Sequence, residues 1–195
     1  KMAEARFNAP SQKIFSHKIW CLAGDGCLQE GISAEAAAIA GVMKLGNLVL
    51  MYDSNGVTLD ADASRTMSED TAMRFESYGW EVSKCDGHDI PAVRKTLLAA
   101  RDSTSDKPKL VIFKTVIAKG IPEVENSAKG HGEGGAKFAD EAKKNLGLPA
   151  EKFRVSEQTR EFFDGVKAER AKISAEWDEL FAKWKADNPE KAAEL

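Results

Sequence analysis

Four short apolar runs, separated by stretches with helical spacing, constrain this chain more than any other feature. They are residues 18–23, 47–53, 80–85 and 109–116. Each is rich in aliphatic and aromatic side chains, as buried strands are. Between them, residues 33–46, 68–79 and 90–102 read as helices. The first is Ala-rich, with Ser33 as its cap and Gly46 as its stop. The second opens on Ser and acidic residues and closes at Gly79. The third tolerates Pro91 in its first turn. Strands alternating with helices specify an α/β domain with a parallel sheet and helices on both faces. Ligands of such sheets bind outside the carboxyl ends of the strands.

Further along, residues 118–135 are rich in Gly and polar side chains. A loop of that length in a compact domain is more often functional than idle. Residues 137–147 read as a short helix. Residues 156–195 read as a long amphipathic helix or pair, with Val166, Ile173, Trp177, Leu180, Phe181 and Trp184 on one face. The expected division is an α/β domain over residues 1–150, incomplete at its amino end, and a helical extension over 151–195.

Composition removes several function classes. A net charge of -3 offers no basic surface for nucleic acid or an anionic membrane. No apolar run approaches the ~20 residues of a spanning helix. The charged, polar opening is no signal peptide. Cys21, Cys27 and Cys85 include no C-x-x-C pair, so thiolate metal ligation is not expected. They read as buried free thiols in a cytoplasmic protein. The chain opens on Lys1, and its first residues read as the end of a helix, which suggests a fragment.

The chemistry concentrates at two strand ends. "CLAGDGCLQEG" places Asp25 just after the first strand, and "YDSNG" places Asn55 just after the second. One crossover would bring both to the same exposed rim. A carboxylate, an amide oxygen and a backbone carbonyl are hard ligands that suit Mg²⁺ or Ca²⁺. Mg²⁺ usually takes one or two carboxylates and completes its shell with water and phosphate oxygens. Gly26 would let a phosphate approach the backbone. Read singly, Asp25 is a helix cap and Asn55-Gly56 a turn. A non-catalytic nucleotide-binding α/β module is a second reading, although the chain carries neither a Rossmann nor a P-loop glycine pattern.

"GDG" followed one crossover later by Asn resembles the thiamine-diphosphate motif. "GDGCLQEGISAEAAAIAG", "LGNLVLMYDSNGVTLD", "EDTAMRFESYGWEV" and "DKPKLVIFKTVIAKG" resemble transketolase across almost the whole chain. "CLQEGIS" and "AMRFESYGW" separate that family from other thiamine enzymes, such as a split synthase or a 2-oxoacid dehydrogenase component. The resemblance implies a diphosphate-binding domain, with residues 151–195 leading to an interdomain linker. It implies Mg²⁺, with Ca²⁺ as a possible substitute, held by Asp25, Asn55 and the Val57 carbonyl. Gly24, Asp25 and Gly26 would meet the diphosphate, with Gly26 donating its N–H. Leu59 and Ile117 would pack near the thiazolium ring. His131, in "KGHGEGG", would touch diphosphate and substrate, although the family usually continues differently after His-Gly. Glu30 and Glu35 would lie at a homodimer contact linked to the partner's activating glutamate; both are also favourable charges near a helix start. His17 and His88 read as surface residues. The implied activity moves a two-carbon ketol unit from a ketose phosphate to an aldose phosphate. It needs the remaining transketolase domains, so this chain alone would be inactive.

Overall fold

The structure is a computed structural model and describes residues 1–131 and 137–195. Two compact units emerge: Lys18–Ala150, and Lys1–His17 together with Glu151–Leu195. Residues 1–17 group with the carboxyl-terminal helices rather than with the α/β domain expected over residues 1–150.

In the larger unit the apolar runs become β1 (Ile19–Gly24), β2 (Leu48–Ser54), β3 (Glu81–Asp86) and β4 (Lys109–Lys114). They pair in parallel in the order β1-β2-β4-β3. The register is nearly flush, with Gly24 beside Asp53, and Ser54 and Asp86 both beside Lys114. All four strands therefore end on one rim. The central strands hold the most deeply buried sheet residues, Val49, Leu110 and Val111.

Between the strands lie α2 (Asp25–Gln29), α3 (Gly31–Val42), α4 (Thr71–Ser77) and α5 (Ile90–Asp102). Asp70 and Asp89 cap α4 and α5, accepting from the N–H groups of Met73 and Ala92. On one sheet face Ala23, Tyr52, Leu110 and Ile112 pack with Leu28, Ala37, Ala40, Phe75 and Trp80. The Trp80 ring meets Phe75 edge-on at 5.1 Å, and its Nε1–H donates to the Ala37 carbonyl at 2.8 Å. On the other face α5 covers the β3–β4 half, where Ala100 packs on Val49 and Val111. The β1 side of that face, with Trp20 and Leu22, is exposed.

Several sequence expectations are corrected. Ser33 does not cap the Ala-rich helix; it lies inside α3, and its Oγ donates to the Cys27 carbonyl at 2.6 Å. Gly46 does not stop it either. The helix ends at Val42, and Lys44 takes a left-handed φ of 51°. Gly46 serves a close approach instead, since a Cβ there would lie 2.4 Å from the Ser105 carbonyl oxygen. Its own carbonyl accepts from both Lys18 and the buried Lys109, which ties the amino ends of the strands together. Cys21 and Cys27 are exposed and Cys85 is half-buried, all as free thiols. The run containing Cys21 reads as buried in sequence, but among the described residues β1 has a strand on one side only.

Among the described residues this unit also holds α6 (Ala139–Asn145). The smaller unit holds α1 (Met2–Phe7), the long α7 (Glu157–Asp187) and α8 (Pro189–Glu194). The apolar stripe of α7 is used unevenly. Trp184 is fully buried and donates to the Phe7 carbonyl, and Trp177 donates to the Ile14 carbonyl. Ile173 stays exposed. No helix among the described residues is long and apolar enough to cross a membrane.

Phe75, 1% exposed at the centre of the larger core, sets a measurable scale. Phe75→Ala should cost about 3–5 kcal/mol of unfolding free energy. A urea midpoint unchanged from the parent would show that α4 does not close this core.

Candidate functional site

The rim is assembled around Asp25, which follows β1 directly as the first residue of α2. It is 4% exposed, not the open rim carboxylate that the sequence suggests. Oδ1 accepts from the Tyr52 hydroxyl at 2.6 Å. Oδ2 accepts from the backbone N–H groups of Asn55 at 3.1 Å and Gly56 at 3.0 Å. The end of β1 is thereby fastened to the turn leaving β2. Gly56 has a φ of +77°, which a side-chain-bearing residue takes only with strain. The Asn55 amide oxygen accepts from the Val57 N–H at 2.9 Å, which folds the turn back on itself. Val57 is buried beneath it.

Burial, and then the bond to Asp25, hold the Tyr52 phenol well above its usual range, so the hydroxyl keeps its proton and donates. A carboxylate offers about four acceptor sites. Asp25 uses three of them, which leaves room for one cation contact. The Asn55 amide oxygen likewise keeps a second lone pair. No group of three or more His, Cys, Asp or Glu among the described residues could hold a metal ion.

Next to this junction lies a cavity of about 640 Å³ on the carboxyl rim. Asp53, Asn55, Thr115, Ile117, Ala118 and His131 line it. Thr115 Oγ1 donates to Asp53, whose other oxygen lies 3.4 Å from the Asn55 amide nitrogen. His131 Nε2 is buried and has no hydrogen-bond partner among the described residues. A buried imidazole nitrogen in that condition carries a desolvation cost that a ligand would relieve. A Cβ added at Gly26 would meet nothing within 4 Å, so space also lies open at the start of α2.

The structure therefore brings Asp25, Asn55, Val57, Ile117 and His131 to one region, with Gly24 and Gly26 flanking Asp25. Leu59 is 74% exposed and does not line the cavity. Glu30 and Glu35 are also exposed and outside it; Glu30 precedes α3 without a side-chain capping bond. The sequence ending after His131 falls on residues 132–136, outside the described residues. Tyr52, Asp53 and Thr115 were missed by sequence reasoning. The first two stand in the same "YDSNG" as Asn55, but only the strand register shows which faces Asp25 and which faces the cavity.

Comparison with known proteins settles the family. The family model described as transketolase, thiamine diphosphate binding domain, matches residues 1–195. The chain belongs to the transketolase family. It is 53% identical to a transketolase of Physarum polycephalum, covering 100% of this chain and 30% of the relative. Over 98% of this chain it is 51% identical to the transketolase of Dictyostelium discoideum, covering 29% of that protein. A crystal structure of the Pichia stipitis transketolase in complex with sedoheptulose-7-phosphate superposes with a TM-score of 0.89. That match has 33% identity and covers 98% of this chain and 29% of the other. The chain thus spans about 30% of the transketolases it matches, and the thiamine diphosphate binding domain model matches it along residues 1–195.

Because Asp25 is a buried junction, changing it should disturb stability as well as binding. Asp25→Asn turns one of its acceptor oxygens into a donor that meets either Tyr52 or the turn amides. A loss of about 1–3 kcal/mol is expected. Equilibrium unfolding indistinguishable from the parent would contradict this structural role.

Proposed function

We propose that this chain is the diphosphate-binding part of a transketolase that moves a two-carbon ketol unit between sugar phosphates with thiamine diphosphate and Mg²⁺. The supporting observation is the rim itself, where a buried Asp25 joined to Asn55 adjoins a cavity with a His131 nitrogen that has no partner among the described residues. Asp25, Asn55 and the Val57 carbonyl would hold Mg²⁺. Gly24 and Gly26 leave room for the diphosphate, and the Gly26 N–H would donate to it. The first N–H groups of a helix have no partner within it. Ile117 would supply an apolar wall. Leu59 is free to serve the same end from its exposed position. His131 would hydrogen-bond to the diphosphate or to a substrate hydroxyl. When bound, thiamine diphosphate supplies the carbanion chemistry that splits and rebuilds the carbon–carbon bond. The protein's part is to bind, orient and shield it. The sugar-phosphate substrates are favoured by the family and by the sedoheptulose-7-phosphate held by the Pichia stipitis enzyme.

The remaining domains and a second subunit are the proposed partners, and the cytoplasm, with the pentose phosphate pathway, the proposed setting. One chain provides the diphosphate end only, so the 195 residues by themselves would be inactive. The proposed dimer contact runs through α3 with Glu30 and Glu35. This helix is split between two environments. Ala37 and Ala40 are in the core, and a Cβ on Gly41 would collide with the Tyr78 carbonyl oxygen. Ile32, Ile39, Val42 and Met43 are exposed together with Glu35. Core and contact are thus read from opposite sides of one helix.

Calorimetry on the full-length protein tests the cofactor assignment. Thiamine diphosphate with Mg²⁺ should bind and ATP with Mg²⁺ should not, and Asn55→Ala should weaken the former about 10–100-fold. Equal or tighter binding of ATP would favour the nucleotide module instead. For the dimer, Ile39→Lys places a charge on the exposed side of α3 without touching the core. Sedimentation of the full-length variant should show dissociation at concentrations where the parent is dimeric. A parent that sediments as a monomer at micromolar concentration, or a variant as dimeric as the parent, would remove α3 from the interface.

A further inference from the structure

Beyond Lys114 the fourth strand loses its neighbours, yet the next residues form a wall of the cavity. Thr115 is still held, because its N–H donates to the Ser54 carbonyl at 3.2 Å and its hydroxyl to Asp53. Val116 has no strand to donate to. Its N–H instead donates to His88 Nε2 at 2.9 Å. An imidazole nitrogen can accept in this way only while it carries no proton of its own.

The turn that carries His88 is itself fixed. The His88 N–H donates to Asp86 Oδ1 at 2.8 Å, and the Gly87 N–H donates to the Lys114 carbonyl at 2.8 Å. A Cβ on Gly87 would lie 2.4 Å from Thr115 Cγ2, so the turn rests directly on the segment leaving β4. On the far side, the Ile117 carbonyl accepts from the Asn126 N–H at 3.0 Å, and Ala118 takes a left-handed φ of 54°. The Ala118 carbonyl also accepts from the Ile121 N–H at 3.0 Å, so backbone bonds hold the far side of this segment and His88 is the side-chain anchor on its near side. Gly87, Val116, Ile117 and Ala118 all line the cavity, while His88 does not.

We infer that His88 is a positioning residue: its imidazole latches the Val116 amide and so sets where Ile117 and Ala118 stand against the cofactor. The inference rests on the reading of this cavity as the thiamine-diphosphate site. His88 acts only through Val116 and touches no reacting atom. An exposed histidine in a turn is unremarked in sequence because its partner lies across the sheet rim, on the segment following another strand.

Two variants of the full-length protein test the latch. His88→Phe keeps a ring but has no acceptor, and His88→Gln keeps an acceptor at similar reach. Hydrogen exchange of the Val116 amide without cofactor, and calorimetric affinity for thiamine diphosphate with Mg²⁺, are measured for both. His88→Phe should speed Val116 exchange and weaken cofactor binding, each about tenfold, the scale of one hydrogen bond to an amide left unpaired. His88→Gln should restore both to within about threefold of the parent. The inference is overturned if His88→Phe leaves cofactor affinity unchanged, or if His88→Gln fails as badly as His88→Phe. A parent protein that binds no thiamine diphosphate, with Val116 exchange still dependent on His88, would sink the proposed function and leave the latch standing.

Discussion

The carboxylate of Asp25 is the contact on which the rim depends. It joins a phenol from the middle of the sheet to two backbone amides of the turn beyond β2. A buried carboxylate is costly unless its acceptor sites are filled. Here they are filled by groups whose own positions then become fixed. Tyr52 is drawn toward α2, the Asn55-Gly56 turn is pulled over the end of β1, and the Asn55 side chain is left to cap Val57. A structural tie and a hard-oxygen cluster are thus made from the same atoms. The local fastening by Asp25 and the proposed Mg²⁺ contact call on the same carboxylate.

Around that junction the polar groups are linked from strand to strand. Asp53 receives Thr115 from β4's exit, and the turn after β3 reaches the same segment through Gly87 and His88. All four strands of the parallel sheet finish on one edge, and their exits pair as backbone only in part: the Thr115 N–H donates to the Ser54 carbonyl and the Gly87 N–H to the Lys114 carbonyl. The amides of Asn55, Gly56 and Val116 take side-chain partners, Asp25 and His88. Each of these polar groups is paired. His131 is the exception, with a buried nitrogen unmatched among the described residues. That is the condition expected of a group whose partner is a ligand.

The surfaces away from the rim are less evenly finished. One sheet face is packed by small and aromatic residues from α3 and α4, whereas the other leaves Trp20 and Leu22 in solvent. Parallel sheets are normally covered on both faces. With the exposed side of α3, this apolar area is in keeping with a chain that spans about 30% of its relatives' length and with the proposed further domains and second subunit.

Sequence alone determined the α/β class, the strand and helix order, and the pairing of Asp25 with Asn55 at one rim. Apolar period and turn chemistry are local properties, and one crossover suffices to bring successive strand ends together. The start and stop of α3 were misjudged because Ser33 and Gly46 look like caps, whereas a bond from Ser33 to the Cys27 carbonyl and a tight approach to Ser105 use them otherwise. Burial of the cysteines was misjudged for a related reason. A run of apolar residues does not state whether its strand is central or at an edge. Tertiary structure alone decided that Asp25 is buried, that Tyr52 rather than Asp53 faces it, and that His88 holds Val116. Each of those depends on strand order and register, which bring together residues far apart in the chain, and no window of sequence contains that information.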